Sequence, residues 1–201
     1  MAITELSTLS PETRQAIEQY VNQRVNGEIQ RIENQILEKL KPTLVNKRGL
    51  TILLSSNDFD RVLPAFIIAT GAASFGMEST IFATMWGITT LRKRTIYRGK
   101  KITEKMLTMM LPSSVDALTL SKLNMMGVGA AMMKGMLKQN NVSSLPELME
   151  LASEMGVNLM ACQMTMGIMG ITKEELRNDL TYGGVAAFIE KAEQSSISLY
   201  I

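Results

Sequence analysis

The sequence predicts an α/β protein, a mostly parallel sheet with helices on both faces, preceded by one long helix. Three observations predict it. Residues 10–41 carry a single apolar stripe on an otherwise polar stretch. After Pro42, short apolar runs of strand length alternate with stretches of helical composition. Each of the first runs ends in a polar or glycine-bearing turn, as a buried strand does when it feeds a helix.

The long helix opens at Ser10-Pro11-Glu12-Thr13, a cap residue followed by proline at the first helical position and an acid in the first turn. Ile17, Val21, Val25, Ile29, Ile32, Ile36 and Leu40 follow in steps of four and three. Val21 to Ile32, Val25 to Ile36 and Ile29 to Leu40 are each eleven residues apart, close to the period of a straight helix. Such a stripe suits a partner helix or an oligomer interface, and equally a helix that packs back on its own domain. Gly27 weakens its middle, and Pro42 is expected to end it. The expected organisation is a helical extension over residues 1–44 and an α/β domain over residues 45–201.

Within that domain, Leu50-Thr51-Ile52-Leu53-Leu54 reads as a buried strand followed by the turn Ser55-Ser56-Asn57-Asp58. Residues 59–75 read as an Ala-rich helix stopped at Gly76. Ser79-Thr80-Ile81-Phe82-Ala83-Thr84 is a second strand, closed by Trp86-Gly87. Residues 142–156 form a helix capped by Ser143 or Ser144, with Pro146 in its first turn. Val157-Asn158-Leu159-Met160-Ala161-Cys162 is a third strand, residues 184–195 a helix and residues 197–201 a final strand. Between residues 62 and 91 the only charge is Glu78, so a hydropathy scan allows a membrane span. A buried helix followed by a strand fits better. Gly76-Met77-Glu78-Ser79 breaks the run, with helix formers before it and β-branched or aromatic residues after it. Arg92-Lys93-Arg94, with Arg98, Lys100 and Lys101, reads as a solvated loop, or as a surface for an anionic membrane or partner.

Composition narrows the chemistry. The absence of histidine removes Ser–His and Cys–His dyads and His metal sites, and a lone cysteine leaves no zinc site of the usual type. No metal or other cofactor is expected. A net charge of +2 argues against nucleic-acid binding driven by bulk charge. One cysteine allows no intrachain disulfide and fits a reducing compartment. The first ten residues lack the basic start and apolar core of a secretory leader, so a cytoplasmic location is expected. The 17 methionines fill a core or line a soft, polarizable pocket around a sulfur species. Gly127-Val128-Gly129 fails as a dinucleotide loop, because Met132 stands where a third glycine is needed and no strand precedes it. Glu174 and Glu175, after Thr172, read as capping and surface charges.

Cys162 stands apart. It ends a predicted strand, and open α/β sheets bind ligands outside the carboxyl ends of their strands. A thiol there meets unpaired backbone N–H groups at the start of the next helix, which favour thiolate. Thiolate is the form that attacks or carries a sulfane sulfur. By position alone, a buried inert cysteine is the default reading.

Phe82-Ala83-Thr84-Met85-Trp86-Gly87, Lys122-Leu123-Asn124-Met125-Met126-Gly127 and above all the stretch from Gly156-Val157-Asn158-Leu159-Met160-Ala161-Cys162 to Gln163-Met164-Thr165-Met166-Gly167-Ile168-Met169-Gly170 resemble the DsrE/DsrF family of sulfur-relay proteins, in its DsrE2- and DsrE3-like branch. Gly183-Gly184-Val185-Ala186 and the closing Tyr200-Ile201 are similar too. The resemblance covers roughly residues 48–201 and leaves out the long helix. It implies a three-layer α/β/α sandwich of about five strands, DsrEFH-like, assembled as a trimer or hexamer. It implies that Cys162 matches the family cysteine that accepts a persulfide or thiosulfonate group. TusA-like carriers and rhodanese-like proteins are the partners it implies. Some relatives carry a second cysteine; here, transfer must end on an external thiol. Some members of the branch are membrane-associated, which keeps membrane contact open for residues 62–91. The other strand ends place Ser56, Asn57, Thr84, Met85 and Trp86 at the mouth of the site, with Met125, Met164 and Met166 as an apolar wall. The competing readings are an oligomeric scaffold or binding protein with an inert Cys162, and a peripheral membrane protein.

Overall fold

In the computed structural model the backbone is described for residues 10–44 and 48–201, and side chains for residues 10–37 and 48–201. Residues 1–9, where no leader is expected, and residues 45–47, at the expected domain start, lie outside the described residues, as does the side chain of Leu40. Two compact units make up the chain, residues 1–46 and 47–201.

The first unit is helix α1, Pro11–Leu44. The Ser10 Oγ accepts the Thr13 N–H at 3.3 Å, the capping expected of this start. The helix runs past Pro42 instead of stopping before it. Only two helical residues follow Pro42, so the bond lost at its missing N–H disrupts little of the helix beyond it. The stripe residues Ile17 to Ile36 are all exposed.

The second unit is a five-stranded, all-parallel sheet: β1 (Gly49–Leu54), β2 (Glu78–Ala83), β3 (Asn158–Cys162), β4 (Thr181–Gly183) and β5 (Ile197–Tyr200), in the order β4-β3-β2-β1-β5. Helices α2 (Phe59–Ser74), α3 (Ile102–Met110), α4 (Val128–Gln139), α5 (Leu145–Glu154), α6 (Gln163–Met169) and α7 (Val185–Glu193) complete it. Parallel strands joined by right-handed crossovers place helices by direction of travel. From β1 through β4 the chain moves one way, and α2 and α5 pack together on one face over the main core. From β4 it returns across the sheet to β5, and this puts α7 on the opposite face, against Leu53, Phe82 and Met160.

The apolar run of residues 62–91 divides into α2, β2 and the 3-10 turn Met85–Leu91. Among the described residues no helix is long and apolar enough to cross a membrane. Gly87 lets the 3-10 turn cross the end of β1: a Cβ there would stand 2.1 Å from the Leu54 carbonyl oxygen. The Gly87 N–H bonds the Ser55 carbonyl at 3.0 Å, and this fixes Trp86 beside the strand ends. At α5 it is Ser144 that caps, in a capping box with Glu147.

Two of the surface expectations are corrected. Glu175 is fully buried, and Arg92 and Lys100 from the basic stretch are buried as well. Arg92 Nη2 donates to Glu175 Oε1 at 2.9 Å, and Lys100 Nζ lies 2.8 Å from Oε2. The Ile96 and Thr172 N–H groups bond the same carboxylate at 3.1 and 2.9 Å. The capping role of Glu175 at Thr172 therefore holds, but as part of a buried ion cluster. That cluster ties residues 92–100 to the 3-10 turn Lys173–Glu175.

Candidate functional site

Alternation along β3 decides where the sulfur points. Leu159 and Ala161 enter the main core, while Met160 and Cys162 face α7. Cys162 is the last residue of β3 and the cap position of α6. Its register partner on β4 is Gly183. A Cβ at Gly183 would stand 2.7 Å from the Met160 sulfur and 2.9 Å from Ala187 Cβ, so glycine there lets β4 and α7 close in beside the thiol.

Cys162 is 1% exposed and belongs to a small cluster with Phe82 and Met160, against which Leu53, Ala187 and Phe188 pack. The Phe82 and Phe188 rings lie 5.2 Å apart, centre to centre. Burial alone raises a thiol's pKa. Here the hydroxyl and N–H of Thr165, the hydroxyl of Thr84 and the N–H of Met164 outweigh it, and the Cys162 thiol is held below the ordinary value. The Thr84 and Thr165 hydroxyls sit 3.0 Å apart, and the Met85 N–H donates to Thr165 Oγ1 at 3.2 Å. With no histidine in the chain, these donors supply the activation.

The strand-end candidates divide into two groups. The Thr84 hydroxyl and the Met164 N–H are among the groups that lower the Cys162 pKa, although the Met164 side chain is exposed. Ser56 donates to Asp58 at 2.8 Å and accepts the Asp58 N–H, and so organises the turn into α2. Asn57 donates to Thr89 Oγ1 at 3.1 Å. Asn57 and Trp86 line a cleft of about 660 Å³ with residues of α3 and the segment after it. Met125, Met164 and Met166 do not form a common wall. Met125 is 72% exposed on a 3-10 turn, and Met166 is buried in the main core. The aromatic and methionine neighbours of the sulfur are Phe82, Met160 and Phe188 instead.

Thr165 is the functional residue that sequence reasoning passed over. Its signal was available: three residues past a cap, its N–H is one of the unpaired donors of a helix start. Phe188 had no local signal, since it reaches the sulfur only through the return crossing to β5. Because α7 is a single short helix over this face, trimming Phe188 is expected to open the site. Phe188→Ala should raise the rate of Cys162 alkylation by iodoacetamide several-fold under native conditions. An unchanged rate would show that the thiol is reached by another route.

The structure defines a parallel α/β domain with its one cysteine at a strand end, and the comparisons with known proteins show its family. The chain belongs to the DsrE/DsrF/DrsH-like family, whose profile matches residues 46–200. It is 46% identical over 152 residues to the uncharacterized protein YrkE of Bacillus subtilis (strain 168), covering 75% of this chain and 95% of that one. It is 34% identical over 161 residues to the sulfur carrier protein DsrE2 of Allochromatium vinosum, covering 78% of this chain and 100% of that one. All of α1 lies outside the family match.

Proposed function

We propose that this chain is a sulfur-relay protein in which the Cys162 thiolate accepts a persulfide or thiosulfonate group and passes it on. The observation that carries this reading is the place of Cys162 at the carboxyl end of β3 and the cap position of α6, beside Thr165, Thr84 and Met164, which favour its ionised form. Family membership and the likeness to a protein named as a sulfur carrier support a sulfur-relay role.

In the forward step the Cys162 thiolate attacks the outer sulfur of a donor persulfide. A bond forms from Sγ to that sulfur, the donor's own S–S bond breaks, and the electron pair leaves on the donor as thiolate. The transferred sulfur keeps its proton or negative charge, so no oxidant or reductant is consumed. Release is the same exchange in reverse, with an acceptor thiolate attacking the outer sulfur of the Cys162 persulfide. One cysteine per chain means that no internal disulfide competes, so the acceptor is an external thiol, such as one on a TusA-like or rhodanese-like carrier. A reducing cytoplasm suits this traffic.

The test is intact mass after incubation with polysulfide or tetrathionate. The wild-type chain is expected to gain mass that a thiol reductant removes, and Cys162→Ser to gain none. Equal gain by the serine variant defeats the assignment.

A second reading is a non-catalytic, oligomeric binding or scaffold protein, and the 1% exposure of Cys162 is the observation that favours it. The sheet face beneath α7 is also incompletely covered: Tyr200 is 75% exposed and Leu53 only half-buried, as in a surface that a second copy closes. This reading expects no sulfur gain and no native alkylation.

A further inference from the structure

The ion cluster behind the cleft is unbalanced. Arg92 and Lys100, with side chains 0% and 3% exposed, share one carboxylate, that of Glu175. Among the described residues no second carboxylate bonds either cation, and the Arg92 Nε is buried with no partner. A buried positive charge without a matching anion is costly.

The surplus leads toward the cleft. Lys100 Nζ donates to Thr108 Oγ1 at 2.9 Å, and Arg92 Nη2 donates to Thr95 Oγ1 at 3.4 Å. Both threonines line the 660 Å³ cleft. Each hydroxyl oxygen is taken by a cation, and neither hydroxyl hydrogen has an acceptor among the described residues. A hydroxyl polarised in this way is a strengthened donor, and it offers positive charge to whatever occupies the cleft. Trp86 and Tyr97, each about half exposed, and the exposed Met109 and Met110 line the same cleft. Flat aromatic rings and thioethers suit an apolar or aromatic body. The volume is that of a small-molecule site, larger than an inorganic ion requires.

From this we infer that the cleft between the carboxyl ends of β1 and β2 and helix α3 binds an organic anion. Its charged group would sit on the Thr95 and Thr108 hydroxyls, and its body against Trp86 and Tyr97. Anion binding here compensates the surplus charge of Arg92 and Lys100. This site does not depend on the chemistry of Cys162, and its test involves no sulfur transfer.

Trp86 is the only tryptophan, so its emission reports on the cleft. The full chain is titrated with anilinonaphthalene sulfonate while energy transfer from Trp86 is followed, and then with the uncharged N-phenylnaphthylamine. The sulfonate is expected to bind roughly tenfold more tightly at low ionic strength, as a hydrogen bond to a charged group warrants. The double variant Thr95→Val, Thr108→Val is expected to lose that preference. Thr95→Val alone, at a half-buried loop position, is expected to reduce it several-fold, and this keeps the test open should the double variant not fold. Equal binding of the two probes by the wild type overturns the inference, as does a preference that survives in the valine variants.

Discussion

Glu175→Ala is expected to lower the stability of the α/β unit by about 3–5 kcal/mol, the typical effect of removing one partner from a buried ion pair. The carboxylate accepts from Arg92, Lys100 and two backbone N–H groups, and its side chain is fully buried. Alanine leaves two desolvated cations with no counter-charge and removes the tie between residues 92–100 and the 3-10 turn at Lys173. Burial raises the Glu175 pKa, but the bonds from Lys100, Thr172 and Ile96 outweigh it, and the group is held below the ordinary carboxyl value. Its contribution is therefore fully present above that ordinary value and is lost as pH falls through the depressed one. Denaturant midpoints measured at neutral pH should separate wild type from variant widely. Below the depressed value the two should converge. A difference under about 1 kcal/mol at neutral pH would mean that water reaches the cluster and screens it.

This cluster was not legible in the sequence. Arg92 and Glu175 are 83 residues apart, and their pairing depends on the long connection between β2 and β3 folding back. Arg92-Lys93-Arg94 has the composition of a solvated loop, and only the middle and last of its three residues are exposed. The helix α3 was hidden for a related reason. Its apolar residues Ile102, Met106, Met109 and Met110 have helical spacing but face outward, 60–79% exposed, so the usual contrast between buried and wet faces is missing. The strand β4 has three residues and leads into Gly183-Gly184, too short and too rich in glycine to register as a strand.

What was legible rests on local rules. The strands β1, β2 and β3 are apolar on both faces, as buried parallel strands are, and each ends where a polar or turn residue interrupts the run. The start of α1 followed from Ser10 and Pro11, but its end did not, because a proline near a helix C-terminus loses too little to stop it. Cys162 was placed correctly at a strand end by the length of its run. Its burial matches the default reading from position, but the helix that covers it was not foreseen, because alternation assigns a residue to a face and says nothing of what later packs on that face. Phe188 arrives there only through the crossing from β4 to β5.

Thr165→Val is expected to slow Cys162 alkylation roughly tenfold at neutral pH and to move the midpoint of its pH profile upward. Valine keeps the shape of a buried threonine but removes a hydroxyl that stabilises the thiolate, and a hydrogen bond to a charged group is worth about 1.5–3 kcal/mol. The limiting rate at high pH, where all of the thiol is ionised, should change far less, because it reports access and intrinsic nucleophilicity. Valine also strips the Met85 N–H of its acceptor, and Met85 has a φ of 45°, so some stability is lost as well. Thr165→Ser separates the two effects: it restores the hydroxyl, and both the neutral-pH rate and the profile should return toward wild type. Thr84→Val should give a smaller shift in the same direction, because the Thr84 hydroxyl contributes less than the hydroxyl and N–H of Thr165. If the profile of Thr165→Val superimposes on that of wild type, the donors at this strand end do not ionise Cys162, and the relay reading loses its physical basis.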